Sequence, residues 1–251
     1  MMRETLVFGP IHSRRLGSSL GINLLPEKGK LCNFDCIYCE CGWNADGRGD
    51  HRLPTAAELR DALRSKLTAC RDEGTPIDSI TFSGDGEPTL NPDFPEMISD
   101  TLALRDELFP AAKVSVLSNA TRLGVPAVME ALKKVDNPIL KIDGGSTAHV
   151  RRINRPAFAY DLDTVVENLR GFGGDFVLQT MFLRCPEFDS TEPDNVERWR
   201  RIVRDLRPRE VMVYTVDRET PLKGIAKVSP EEMAEIVRPL REEGFQIQIR
   251  G

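Results

Sequence analysis

Along most of this chain, short β-branched and aromatic runs alternate with longer segments whose apolar residues recur at helical spacing. Each exchange takes roughly 30 residues, the length of one strand–helix–strand unit. Strand patterns fall at 18–25, 79–83, 113–119, 138–143, 176–183 and 211–214, with a last edge strand at 246–250. Helical patterns lie between them. The first opens at Pro54-Thr55 and repeats Leu59, Leu63 and Leu67 at spacing four; others cover 95–108, 125–135, 161–169 and 192–206. The last starts at Ser229-Pro230, where serine caps and proline suits the first turn, and runs to about residue 243. Strands that re-enter a sheet in the same direction need helical crossovers, so the alternation predicts a parallel sheet with helices outside it. Eight such units close a barrel of about 250 residues. Six predict an α/β fold, a partial (β/α)6 TIM-like barrel with a mainly parallel sheet. A doubly wound open sheet is the competing arrangement.

No repeat or linker divides the sequence, so 1–251 reads as a single domain with an N-terminal extension at 1–17 and an irregular loop at 30–42. Hydrophobic residues make up 40%, enough for a large core. No run approaches the roughly 18 apolar residues of a membrane span. Met1-Met2-Arg3-Glu4 lacks the features of a secretory signal, which predicts a cytoplasmic protein without membrane partners. The net charge of −5 argues against a dedicated nucleic-acid binder but leaves room for a local basic patch.

In parallel α/β folds, chemistry gathers where strands end and loops begin. The loop after the first expected strand holds four of the six cysteines. Cys32, Cys36 and Cys39 are spaced C-x3-C-x2-C, and clustered thiols in a reducing compartment indicate metal or redox chemistry. Three thiolates in eight residues can wrap one cuboidal iron–sulfur cluster and leave one iron with an open position. The alternative is a structural zinc site that recruits Cys41 as fourth ligand. Cys70 and Cys185 read as small buried hydrophobes, and His12, His51 and His149 lack a ligand spacing.

The second strand ends in Ser83-Gly84-Asp85-Gly86-Glu87-Pro88. Glycines there let another group approach the backbone. Glu87 and nearby carbonyls could accept from an ammonium group; a plain turn is the other reading. Three further strand ends are polar: Ser118-Asn119-Ala120-Thr121, Lys141-Ile142-Asp143-Gly144 and Gln179-Thr180-Met181. Period-two alternation puts Lys141 and Asp143 on one side. Solvated or capping side chains are the bland alternative for each.

The cysteine spacing with Tyr38 before the third cysteine, C-x3-C-x-aromatic-C, resembles the signature of the radical S-adenosylmethionine (SAM) superfamily. The resemblance implies that Cys32, Cys36 and Cys39 bind a [4Fe–4S] cluster, that SAM chelates the fourth iron, and that Tyr38 lies near the adenine. It makes Asp85, Gly86, Glu87 and Pro88 the counterpart of a Gly-Gly-Glu-Pro-like motif for the SAM amino group, with Asp85 in place of a glycine. It also assigns Ser118, Asn119, Lys141, Asp143 and Gln179 to the SAM ribose, the SAM carboxylate or the substrate.

The segment Phe8-Gly9-Pro10-Ile11-His12-Ser13-Arg14-Arg15-Leu16, continuing to Asn23, is similar to proteins classed with wyosine-type tRNA base synthases. So is Val150-Arg151-Arg152-Ile153-Asn154-Arg155-Pro156. This likeness implies a nucleoside or tRNA base as substrate, a small molecule being the other option. Arg151, Arg152 and Arg155 would then meet an anionic group, or they are solvated surface arginines. The implied reaction draws an electron from a flavodoxin- or ferredoxin-like donor, cleaves SAM to a 5′-deoxyadenosyl radical, and takes a hydrogen from the substrate. Two other functions fit the loop: an activase for a glycyl-radical partner protein, and a non-enzymatic zinc or iron–sulfur interaction module.

Overall fold

A computed structural model describes residues 5–13, 17–47 and 51–251. The start at 1–4, and Arg14, Arg15 and Leu16 of the N-terminal motif, lie outside the described residues. The chain forms two compact units. One comprises 1–32, 44–118 and 124–138; the other comprises 33–43, 119–123 and 139–251.

The first unit carries β1 (Val7–Ser13), β2 (Gly17–Ile22), α1 (Ala56–Asp72), β3 (Ser79–Phe82), α2 (Phe94–Leu108), β4 (Lys113–Ser118) and α3 (Pro126–Lys134). β2, β3 and β4 pair in parallel, with Leu20 opposite Ile80 and Ile80 opposite Val114. Leu20, Ile22, Ile80, Phe82, Val114 and Val116 are fully buried on one face, and Ser79, Thr81 and Ser115 are buried on the other, so these strands are covered on both faces. α1 begins as its sequence predicts. Thr55 caps it, and Glu58 returns the bond to the Thr55 backbone in a capping box. The expected stripe of Leu59, Leu63 and Leu67 is buried, and Cys70 extends it by one turn.

β1 lies within the segment expected as an extension. It pairs antiparallel with β2, and its register shifts between Phe8 and Ile11. Gly9 and Pro10 hide the strand pattern, since proline cannot donate to a ladder and is tolerated only at edges and irregularities. Phe8 opposite Gly21 holds the pair together: a Cβ on Gly21 would sit 2.0 Å from the Phe8 ring.

β5 (Asn137–Lys141) begins in the last residues of the first unit and leads into the second. There follow α4 (Thr147–Asn154), α5 (Leu162–Arg170), β6 (Val177–Met181), β7 (Leu183–Cys185), β8 (Phe188–Asp189), α6 (Pro193–Leu206), β9 (Glu210–Tyr214), β10 (Ala226–Lys227), α7 (Pro230–Glu242) and β11 (Ile247–Arg250). β5, β6, β9 and β11 are parallel neighbours in that order. β10, β7 and β8 make a small antiparallel sheet.

The fold is therefore α/β with a mainly parallel sheet that is not closed. β2, β3, β4, β5, β6 and β9 each precede helical structure, which are the six expected units, and β11 adds the last expected strand. α6 anchors the turn after β5: a Cβ on Gly145 would fall 2.5 Å from the Asn195 carbonyl oxygen and 2.6 Å from the Trp199 nitrogen. The fully buried Trp199 donates its indole N–H to Thr180 Oγ1 at 3.0 Å. Among the described residues no helix is long and apolar enough to cross a membrane.

Candidate functional site

In the second unit, residues 33–43, which carry Cys36, Cys39 and Cys41, rest on the end of α4. Ser146 caps the start of this helix by accepting from the His149 N–H, and Arg155 ends it in the left-handed conformation at φ 44°. The last carbonyls of a helix lack partners within it. Here the loop supplies them: Asp35 N–H donates to Asn154 O at 2.8 Å, and Ile37 N–H donates to Ile153 O at 3.0 Å. Ala157 N–H returns a bond to Asn33 O at 3.0 Å. Within the loop, Cys39 N–H bonds to Cys36 O at 3.1 Å, and Gly42 N–H bonds to Cys39 O at 3.0 Å. None of the six cysteines is in a disulfide. Among the described residues no three His, Cys, Asp or Glu side chains gather as ligands of a single metal ion. A cuboidal cluster makes a different demand, because its thiolates bind separate irons.

Cys36 is the buried cysteine of the loop, and polar groups converge on it. Lys141 Nζ, from the end of β5, lies 3.2 Å from its sulfur and 3.1 Å from the Tyr38 hydroxyl oxygen. Asn154 Nδ2, from the last residue of α4, lies 3.2 Å from the same sulfur and 2.7 Å from Asp143 Oδ2. The Tyr38 hydroxyl donates to Asp143 Oδ2 at 2.5 Å, and Met181 N–H donates to Asp143 Oδ1 at 2.9 Å. Lys141 and Asp143 thus meet as their alternation predicts, 3.5 Å apart. The Lys141 ammonium also stands over the rings of Phe34 and Tyr38, at 5.2 and 5.4 Å from their centroids.

Burial pushes the Cys36 thiol up, and the Lys141 charge opposes that shift. Burial, reinforced by the neighbouring Asp143 carboxylate, holds Tyr38 well above the ordinary phenol range, so it stays a neutral donor at physiological pH. Binding to a metal deprotonates a coordinating thiol outright, so iron at Cys36 would offset the cost of its buried thiolate.

In the first unit, the strand-end glycines admit the chain itself. Leu31 N–H donates to Asp85 O at 3.0 Å, and Glu87 N–H donates to Leu31 O at 3.0 Å. A Cβ on Gly86, which has φ +143°, would lie 1.8 Å from the Leu31 carbonyl oxygen. A Cβ on Gly84 would lie 2.0 Å from Asn23 Oδ1, and that oxygen accepts the Asp85 N–H at 3.0 Å. Asp85, Glu87 and Pro88 are buried. Glu87 Oε1 accepts from the Thr89 hydroxyl at 2.6 Å and from the Ser118 hydroxyl at 2.8 Å. Cys32 follows Leu31, and its carbonyl accepts from Asn44 Nδ2 at 3.0 Å.

Gly86→Ala is expected to cost about 2–4 kcal/mol, from a strained backbone angle plus displacement of Leu31. A urea titration of the purified variant measures this. An unchanged midpoint would mean that the Leu31–Gly86 contact is dispensable.

Asn119 belongs to the second unit. Its Oδ1 accepts from the Thr121 hydroxyl at 2.6 Å, and its Nδ2 donates to Asn33 Oδ1 at 2.7 Å. Ala120 holds the left-handed φ of 63°. Gln179 is buried in β6. Arg151, Arg152 and Arg155 are exposed. Arg151 donates to Tyr160 O at 3.0 Å, and the Arg155 guanidinium lies 4.9 Å from the centre of the Trp43 ring. His149 is tied to Ser146 at 2.7 Å, and burial holds its pKa down. Asn154, Asn23, Thr89 and Asn33 were not singled out from sequence. Asn154 sits within the Arg-Arg-Ile-Asn-Arg-Pro run, in which only the arginines carry a charge signal readable from sequence.

A family model for the radical SAM superfamily matches residues 27–194. A UPF0026 protein of Synechocystis sp. is 32% identical over 223 residues, covering 86% of this chain and 77% of the relative. Another UPF0026 protein, from Helicobacter pylori J99, is 29% identical over 239 residues, covering 93% of this chain and 73% of the relative. Among solved structures, Streptococcus suis SuiB bound to S-adenosylmethionine superposes with a TM-score of 0.65 at 14% identity. The match covers 89% of this chain and 49% of SuiB, about half its length, and the likeness is one of fold. With the family model spanning the cysteine loop and the strands β3, β4, β5 and β6, and with a relative of this identity and coverage, the chain belongs to the radical SAM superfamily, among its UPF0026 proteins.

Proposed function

We propose that Cys32, Cys36 and Cys39 hold the [4Fe–4S] cluster of this radical SAM enzyme, and that its substrate is a nucleoside-type molecule. The surroundings of the Cys36 sulfur carry the cluster assignment. It is buried, and two N–H donors at 3.2 Å point to it, which suits an electron-rich sulfur bound to iron. When bound, the cluster and SAM supply a one-electron reductive cleavage that gives methionine and a 5′-deoxyadenosyl radical able to abstract hydrogen.

The chain's own residues bind, orient and exclude water. The buried Tyr38 and Asp143 lock the loop beside β5 and keep solvent from Cys36. Asp85, Gly86, Glu87 and Pro88 form the rigid turn we assign to the SAM amino group, with Ser118 bracing Glu87. We assign Asn119, Lys141, Asp143 and Gln179 to the SAM ribose, the SAM carboxylate or the substrate. Exposed Arg151, Arg152 and Arg155 offer charge to a phosphate, and the Arg155–Trp43 pair offers a stacking face to a base. These arginines, with the motif likeness to wyosine-type synthases, support the nucleoside reading. A flavodoxin- or ferredoxin-like carrier in the cytoplasm completes the proposal as electron source.

The test is anaerobic reconstitution with iron and sulfide, followed by incubation with SAM and dithionite. Four irons per chain and a chromatographic peak of 5′-deoxyadenosine are expected, with added tRNA raising the rate. Protein that takes up zinc without sulfide and forms no 5′-deoxyadenosine would overturn the cluster assignment.

A further inference from the structure

We infer that Asn154, together with Lys141, sets the reduction potential of the cluster through the sulfur of Cys36. This rests on the cluster reading above and adds a role for residues outside the cysteine motif. A side-chain amide has two N–H groups on one nitrogen. Asn154 Nδ2 is 2.7 Å from Asp143 Oδ2 and 3.2 Å from Cys36 Sγ, so one hydrogen serves the carboxylate and the other the sulfur. The same pair of acceptors fixes the amide's orientation. Turned over, it would bring its oxygen against a carboxylate and a sulfur at once.

Asp143 is itself held by Met181 N–H from β6 and by the Tyr38 hydroxyl, so the frame that aims Asn154 is rigid. Asn154 is only 1% exposed, and α4 carries it on the turn whose carbonyls receive the loop's N–H groups. Lys141 Nζ reaches the sulfur from β5, also at 3.2 Å. Its charge is opposed by Asp143 at 3.5 Å, whereas the amide donor brings no net charge that needs balancing.

Hydrogen bonds to cluster sulfurs and local charge are main determinants of iron–sulfur potentials. Reduction adds negative charge that spreads onto the sulfurs, so donors aimed at a sulfur favour the reduced form and raise the potential. Asn154 acts through Cys36 and is a positioning residue for the cluster's electronics, not one that touches substrate.

The test is an EPR-monitored redox titration of the reconstituted enzyme. Asn154→Leu keeps the volume and removes the donor. It is expected to lower the reduced-to-oxidised ratio at fixed ambient potential about tenfold, equivalent to about 59 mV for one electron. Lys141→Met removes the other donor without touching α4 and is expected to shift the potential in the same direction. A complete cluster with an unchanged midpoint in either variant overturns the inference. Wild-type protein that assembles no cluster overturns the cluster reading instead, and iron and sulfide counts tell the two failures apart.

Discussion

Cys36→Ala is expected to leave the chain folded, stop cluster assembly and drop 5′-deoxyadenosine formation to background. The two outcomes separate because the groups around the sulfur keep other partners. Lys141 still reaches the Tyr38 hydroxyl and Asp143, and Asn154 still donates to Asp143. The structural loss is a small cavity and two weakened bonds, about 1–2 kcal/mol. A chain of this size loses roughly 2–4 °C of melting temperature per kcal/mol, so the fold survives. Iron and sulfide per chain should fall sharply while circular dichroism is unchanged. Cys41→Ala makes the comparison sharp: if Cys41 is outside the ligand set it retains iron, whereas a four-cysteine zinc site would lose its metal in both variants.

Asp143→Ala should cause a large loss of stability, about 3–5 kcal/mol, because it removes the fully buried partner of a largely covered ion pair. The carboxylate accepts from the Tyr38 hydroxyl, the Asn154 amide and the Met181 N–H, and it faces the Lys141 ammonium. Deleting it leaves the Lys141 cation, whose side chain is only 13% exposed, without its carboxylate beside a loop held by fewer bonds. Chemical unfolding measures the effect. Glu235→Ala, which removes only an exposed i,i+3 partner of Arg238, should change stability by less than about 1 kcal/mol. Equal effects in the two variants would show that the Asp143 network contributes nothing beyond an ordinary surface pair.

What could be read in advance follows from how local each signal is. Strands such as Ile80–Phe82 and Val114–Val116 are fully buried, and their β-branched runs stand out between helical stripes. α1 and α7 carry their own capping boxes. β1 was obscured by Gly9 and Pro10, because its strand character comes from pairing with β2. α4 has only eight residues between a Gly-Gly-Ser turn and Arg155-Pro156, too few for a periodic pattern. β7, β8 and β10 have three residues or fewer.

The site divides the same way. The cysteine spacing and the Lys141–Asp143 alternation are properties of neighbours in sequence. The part played by Asn154 depends on a residue 118 positions away, and nothing local distinguishes it from a helix-ending asparagine.

The hold of Leu31 on Gly86 has a dynamic consequence. The segment that enters the cysteine loop and the turn that ends β3 share two backbone bonds through one residue, Leu31 N–H to Asp85 O and Glu87 N–H to Leu31 O. Neither amide can be released by fraying of one segment alone. In native-state hydrogen exchange, Leu31 and Glu87 should therefore report the same opening free energy and behave as one cooperative unit. Two stretches of sequence more than fifty residues apart would then open and close as a single event.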